Sequence, residues 1–185
     1  LASEKVFVSR DYHFNKVKTF HHMMDERTQE EPRAWDLEGA THRAGFKIEE
    51  LVEFVRAASL SEEDFGQALS QLHQDLDKAA DKVAKKTPAQ QDLIGQVDAL
   101  IDTLYFTYGS FVLMGVDPER IFDIVHQANM GKIFPDGKAH FDPVTHKILK
   151  PDDWEEKYAP EPAIKKELQR QLKAYERHKE RNNTQ

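Results

Sequence analysis

The chain has 185 residues, 32% of them charged, and a formal net charge of -7. This length is typical of one domain with its own core, and the acidic balance argues against the basic surface of a protein that binds nucleic acid polymers. Cysteine is absent, which excludes disulfides and thiol chemistry. The amino end has no secretory signal pattern and the longest apolar stretch contains Asp, Tyr and Thr, so we expect a cytoplasmic protein with no membrane span.

Apolar residues recur at helical spacing along most of the chain. Residues 1–11 contain a short alternating piece that suits either an edge strand or a loose arm. Periodicity then predicts helices over 12–24, 37–59, 62–86, 93–114, 118–130 and 161–181, with a polar loop at 28–33 and a break at Thr87–Pro88. Asp117 before Pro118 is typical of an N-cap followed by a first-turn proline.

The segment 133–158 is rich in turn residues, including Pro135-Asp136-Gly137 and Asp142-Pro143. We expect a small β-hairpin between Lys138 and Leu149. The sequence therefore predicts one all-α domain: a helical bundle of about five or six helices with a small C-terminal β-hairpin. Its core spans 12–132, the hairpin and loop span 133–158, and the C-terminal helix spans 161–181.

The helix predicted over 93–114 is apolar nearly all the way round, a pattern typical of a helix buried among others. Asp98 and Asp102 nevertheless lie within it, one turn apart and on one stripe. A buried carboxylate is costly unless it is paired, hydrogen-bonded or bound to a metal. The sequence therefore predicts a cation beside this helix.

A second group of carboxylates is formed by Glu49, Glu50 and Glu53, in the pattern E-E-x-x-E. By itself such a cluster most often forms a solvated acidic face on a helix. Together with Asp98 and Asp102 it supplies five hard oxygen ligands from two helices, and this donor set indicates a magnesium site.

Asn129 and Lys132 lie near the end of the helix predicted over 118–130. An amide and a lysine ammonium are suited to hold phosphate oxygens. The alternative is ordinary, because a lysine at a helix C-terminus also balances the helix dipole.

Taken in order, five motifs resemble the all-α nucleoside triphosphate pyrophosphohydrolases: EELVEF, VDALIDTLYFTYGSFVLMGVD, VHQANMGK, DGK and HKILKPDDW. These are the MazG-like and phosphoribosyl-ATP pyrophosphohydrolase-like group, and the likeness is closest to the branch named Cof-like. It covers residues 14–154, most of the chain. The resemblance implies a MazG-like helical bundle that assembles as a homodimer or homotetramer, with the site near the subunit interface.

The family pattern is E-E-x-x-E on one helix and E-x-x-D on another. Glu49, Glu50 and Glu53 match the first part, and Asp102 matches the last acid of the second. Ala99 stands where the family has the preceding acid, and Asp98, one residue earlier, lies on the same face. The resemblance assigns Asn129 and Lys132 to the phosphates, with Lys47 and Arg43 as further candidates for that role.

The reaction implied by the resemblance is hydrolysis of a nucleoside triphosphate between its α- and β-phosphates, giving a monophosphate and pyrophosphate. Mg²⁺, or Mn²⁺ in its place, is the implied cofactor, held by Glu49, Glu50, Glu53, Asp98 and Asp102. A glutamate among the first three is the implied catalytic residue, orienting or deprotonating the attacking water.

Two other functions remain open at this point. Ala99 in place of an acid leaves room for a non-catalytic module that binds nucleotide or metal, or that only dimerises. A plain helix bundle with satisfied ion pairs is the second alternative. A ferritin-like di-iron centre is disfavoured, because it needs two E-x-x-H pairs and the chain offers only Asp123-x-x-His126.

Overall fold

The computed structural model describes residues 9–24, 31–86, 92–144 and 147–183. These residues form seven α-helices: α1 (Tyr12–Met24), α2 (Leu37–Ala58), α3 (Glu62–Ala84), α4 (Leu93–Met114), α5 (Glu119–Met130), α6 (Trp154–Tyr158) and α7 (Glu161–Asn183). The predicted all-α architecture is confirmed. Most of the predicted strand or arm in residues 1–11, part of the loop at 28–33 and the break at Thr87–Pro88 lie outside the described residues.

The helix ends follow the capping signals of the sequence with one exception. Asp36 and Ser61 cap α2 and α3, each accepting a hydrogen bond from a first-turn N–H, at 2.7 and 3.1 Å. Helix α5 begins at Glu119, one residue later than predicted, and Pro118 in the N-cap position makes no side-chain cap bond. The Asp117 carboxylate caps the first turn instead, because it accepts the N–H of Glu119 at 3.0 Å.

The predicted β-hairpin was wrong. Between Lys138 and Leu149 the described residues form a single antiparallel bridge, Phe141 with Ile148, and no strand. Pro143 has no N–H to donate to a ladder, and among the described residues two backbone hydrogen bonds flank the bridge. The turn at Pro135-Asp136-Gly137 does form, with Gly137 at a φ of 77° that favours glycine.

The described chain divides into two compact units. The first contains α1, the second half of α4 and everything after it, residues 105–185 with 1–30. In it α5 packs against both α1 and α7, and the buried residues among those described are Met24, Ala128, Gly131, Trp154 and Glu167. The Gln171 side chain fastens α7 to the turn before α5, since it bonds both the N–H and the carbonyl of Asp117, at 3.0 and 2.9 Å.

The second unit, residues 31–104, contains α2, α3 and the first half of α4. Here α2 packs against α3. The Gln96 side chain of α4 makes two bonds to the backbone of Trp35, accepting its N–H at 2.8 Å and donating to its carbonyl at 3.0 Å. Because Trp35 directly precedes the cap of α2, Gln96 joins the start of α2 to α4.

Helix α4 is exposed along most of its length, so the prediction that it is buried was wrong for the single chain. Ile101 is 57% exposed, Phe106 73% and Leu113 91%. The helix pairs that pack most closely in the described chain are α1 with α5, α2 with α3 and α5 with α7, and α4 belongs to none of them. Among the described helices, none is both long and apolar enough to cross a membrane.

Candidate active site

The predicted carboxylates lie on two helices of the second unit. Glu49, Glu50 and Glu53 are exposed on α2, with Glu49 and Glu53 one turn apart. Asp98 and Asp102 are exposed on α4, also one turn apart, and Gln96 lies two residues before Asp98. Each helix therefore presents carboxylates on one stripe, as the spacing predicts.

The chemistry of this donor set fits Mg²⁺, which prefers carboxylate oxygens. A metal site also requires that these carboxylates lie close together. Within the part of the chain that the structure describes, no three Asp, Glu or His side chains are grouped closely enough to hold a metal ion. In the described part of the chain, the predicted ligands therefore lie on two separate helices and the two sets are not brought together.

Arg43 and Lys47 lie on α2, one turn apart and just before the acidic cluster, and both are half-buried. The Lys47 ammonium donates to the Arg43 carbonyl oxygen at 3.1 Å. Burial lowers the pKa of Lys47, and the nearby Arg43 guanidinium lowers it further. The negative charge of a phosphate beside these two groups would favour the charged ammonium and so oppose both effects.

Asn129 and Lys132 lie in the first unit, at the C-terminal end of α5, and both are half-buried. The Lys132 ammonium donates to the Asn129 side-chain oxygen at 2.8 Å. An amide whose oxygen binds a lysine presents its N–H groups on the other side, where they can donate to an anion. The structure thus brings these two predicted residues together.

Sequence reasoning missed the residues that hold this end of α5. The buried Trp154 donates its indole N–H to the carbonyl oxygen of Ala128 at 2.8 Å. The Tyr158 ring lies against Gly131, where an added Cβ would clash with the ring. Trp154 and Tyr158 therefore enclose the turn that carries Asn129 and Lys132. The only sequence signal for this contact was an aromatic pair four residues apart.

Residues 17–129 match the sequence profile of the phosphoribosyl-ATP pyrophosphohydrolase family. The chain belongs to this family. Membership makes the protein a hydrolase of pyrophosphate bonds and supports nucleotide pyrophosphohydrolase activity in general. The matched region contains the five carboxylates, Arg43, Lys47 and Asn129, and it ends before Lys132.

A solved structure is similar over nearly its whole length. It is a crystal structure from Exiguobacterium sp. 255-15, provisionally described as an NTP pyrophosphohydrolase, with 38% sequence identity and a TM-score of 0.82. The similarity covers 90% of this chain and 99% of that one. Comparison with curated proteins finds no match.

Proposed function

We propose that the protein hydrolyses a nucleoside or deoxynucleoside triphosphate, or a related nucleotide, to the monophosphate and pyrophosphate in the presence of Mg²⁺. One observation carries the proposal: the family match spans both helices that carry the carboxylates, α2 and α4. Each of these helices presents acidic side chains one turn apart on an exposed face. The description of the similar structure as an NTP pyrophosphohydrolase supports a nucleoside triphosphate as substrate.

The acidic residues hold the metal in this proposal, with Glu49, Glu50 and Glu53 on one helix and Asp98 and Asp102 on the other. Bound Mg²⁺ supplies charge neutralisation for the phosphates and lowers the pKa of a coordinated water, and Mn²⁺ has the chemistry to replace it. One glutamate among Glu49, Glu50 and Glu53, with a carboxylate oxygen not used for the metal, accepts the proton of the attacking water.

The basic residues position the substrate. Lys132 and Asn129 donate to phosphate oxygens, and their mutual hydrogen bond fixes both groups before the substrate arrives. Arg43 and Lys47 are the corresponding donors on α2. Bond cleavage between the α- and β-phosphates then leaves pyrophosphate, whose charge these cations stabilise.

A second copy of the chain covers α4 in this proposal. The exposed apolar side chains of α4 form a surface far more hydrophobic than a solvated helix carries. A homodimer or homotetramer buries that surface and supplies further groups near Asp98 and Asp102. The proposed site is therefore completed at a subunit interface.

The test is a panel of canonical and damaged nucleoside and deoxynucleoside triphosphates, assayed for pyrophosphate and monophosphate with Mg²⁺ and with EDTA. We expect metal-dependent release of both products in equal amounts from at least one substrate. Release of inorganic phosphate and a diphosphate instead would refute cleavage between the α- and β-phosphates.

A non-catalytic nucleotide-binding or dimerising module is the second candidate function, favoured by the single observation that Ala99 replaces an acid. It predicts a rise in the melting temperature with Mg²⁺ and nucleotide, because a ligand of the native state stabilises it, but no product. Turnover of any nucleotide in the panel removes this candidate.

A further inference from the structure

Lys150 is a cation outside the family match, in the segment that covers the end of α5. Its ammonium lies 3.9 Å from the centroid of the Trp154 ring. Trp154 is only 6% exposed and is anchored to the Ala128 carbonyl, directly before Asn129 in the chain. An exposed lysine is thus held against a fixed ring, close in structure to the predicted phosphate-binding residues.

The charge of Lys150 is not neutralised by any carboxylate that the structure describes. Within the described parts of the chain, no Asp or Glu lies within salt-bridge distance of it, although Asp152 and Asp153 follow closely in sequence. Asp153 is instead paired with Lys157, at 2.5 Å. An aromatic partner orients an ammonium without cancelling its charge, so Lys150 keeps the capacity to bind an anion.

We propose that Lys150 is a second phosphate-binding cation, acting with Lys132 on the phosphate chain of the substrate. The inference rests on the proposed function, since it assigns another residue to the same substrate. Lys150 contacts Trp154, whose indole binds Ala128, and Lys132 binds the next residue, Asn129. Two lysines match the charge of a phosphate chain better than a single lysine does. The Lys150 side chain would then contact the β- or γ-phosphate, the groups that leave as pyrophosphate.

The test measures binding of inorganic tripolyphosphate with Mg²⁺ to the full chain by calorimetry, so that it needs no turnover. Loss of a charge-assisted hydrogen bond predicts that Lys150→Gln binds about 10-fold more weakly, and that Lys150→Arg stays within about threefold of the wild type. Lys157→Gln is the matched control, because it removes an exposed lysine from the same segment. It should bind within about twofold of the wild type.

The affinity for a nucleoside monophosphate distinguishes a contact with the β- or γ-phosphate from a general effect of the lost charge. It should be the same in Lys150→Gln as in the wild type. Unchanged tripolyphosphate binding by Lys150→Gln, an equal loss in Lys157→Gln, or no binding by the wild type would each overturn the inference.

Pyrophosphate release by the wild type is measured separately. A wild type that hydrolyses nucleotides while Lys150→Gln binds normally refutes the role of Lys150 and leaves the proposed function standing. Binding that depends on Lys150, without hydrolysis, refutes the function alone.

Discussion

Asp98 illustrates how a small shift of one acid along a helix can be compensated. Residues three and four positions before Asp102 both lie on its side of the helix, so Asp98 can take the place of the acid that Ala99 replaces. An aspartate is shorter than a glutamate by one methylene. If Asp98 is a ligand, it therefore binds the metal with a shorter side chain and from a position one residue before that of the family's acid.

We predict that Asp98→Ala lowers pyrophosphate release about 10- to 100-fold, the range for loss of one metal-site interaction. Adding Ala99→Glu to that variant recreates E-x-x-D and should recover most of the rate. Asp77→Ala, which removes an exposed aspartate from a different helix, α3, is the control. If Asp98→Ala keeps the full rate, Asp98 is not a ligand.

The sequence predicts which candidate site residues share a face of one helix, because that depends only on their spacing. Spacing alone places Glu49 and Glu53, and likewise Asp98 and Asp102, on shared helical stripes, and the structure agrees. It could not predict the Trp154–Ala128 bond, which joins residues 26 positions apart. The contact of Lys150 with Trp154 could not be predicted either, because it depends on the position in which the Ala128 bond holds the ring.

The short helix α6 stabilises the end of α5 through Trp154. Trp154→Phe keeps an aromatic ring but removes the buried donor to the Ala128 carbonyl, which should lower the free energy of unfolding by about 1–3 kcal/mol. Trp35→Phe is the matched control, since Trp35 is 43% exposed and makes its hydrogen bonds through its backbone. Denaturant unfolding compares the two variants, and equal stability losses would show that the indole bond is not the cause.

Helix α7 contains a carboxylate, Glu167, that titrates in acid and accepts a hydrogen bond from Gln171, the side chain that fastens α7 to the turn before α5. Arg170 and then Gln171 donate to the Glu167 carboxylate and lower its pKa from 4.5 to about 2. A lowered folded-state pKa adds stability above pH 4.5 that is lost as the pH falls from 4.5 towards 2. The stability gap between the wild type and Glu167→Gln should therefore shrink over this range.

Denaturant unfolding at several pH values measures that gap, with Glu176→Gln on the same helix as the control. A gap that stays constant between pH 6 and pH 3 would contradict the assignment to Glu167.

Helices with strong periodicity and caps were predicted almost to the residue, whereas the segment between α5 and α7 was not. Its turn signals are real, but α6 has only five residues, too few for a periodic pattern. The hairpin prediction failed because turn signals alone do not ensure a ladder, and Pro143 removes one of its backbone donors. Local signals predict local structure, and this segment is held by tertiary contacts.

For the whole molecule, the exposure of α4 is the feature that one chain does not explain. The sequence correctly marks α4 as the most apolar helix, but it cannot say which chain covers it.

We predict that the wild type is a dimer or tetramer by light scattering, and that Leu113→Glu shifts it towards the monomer, since a charge in an apolar interface is costly. Glu119→Lys, at the exposed start of α5, is the control. A monomeric wild type would refute the proposed interface.

The rate of pyrophosphate release as a function of Mg²⁺ concentration, in the wild type and in Glu50→Gln, tests the central claim most directly. The account predicts a rate that saturates with Mg²⁺ and vanishes in EDTA. It also predicts a loss of at least about 100-fold in Glu50→Gln with unchanged circular dichroism. Glu63→Gln, on the exposed face of α3, should keep the wild-type rate. Full activity of Glu50→Gln, or a wild-type rate unaffected by EDTA, would contradict the account.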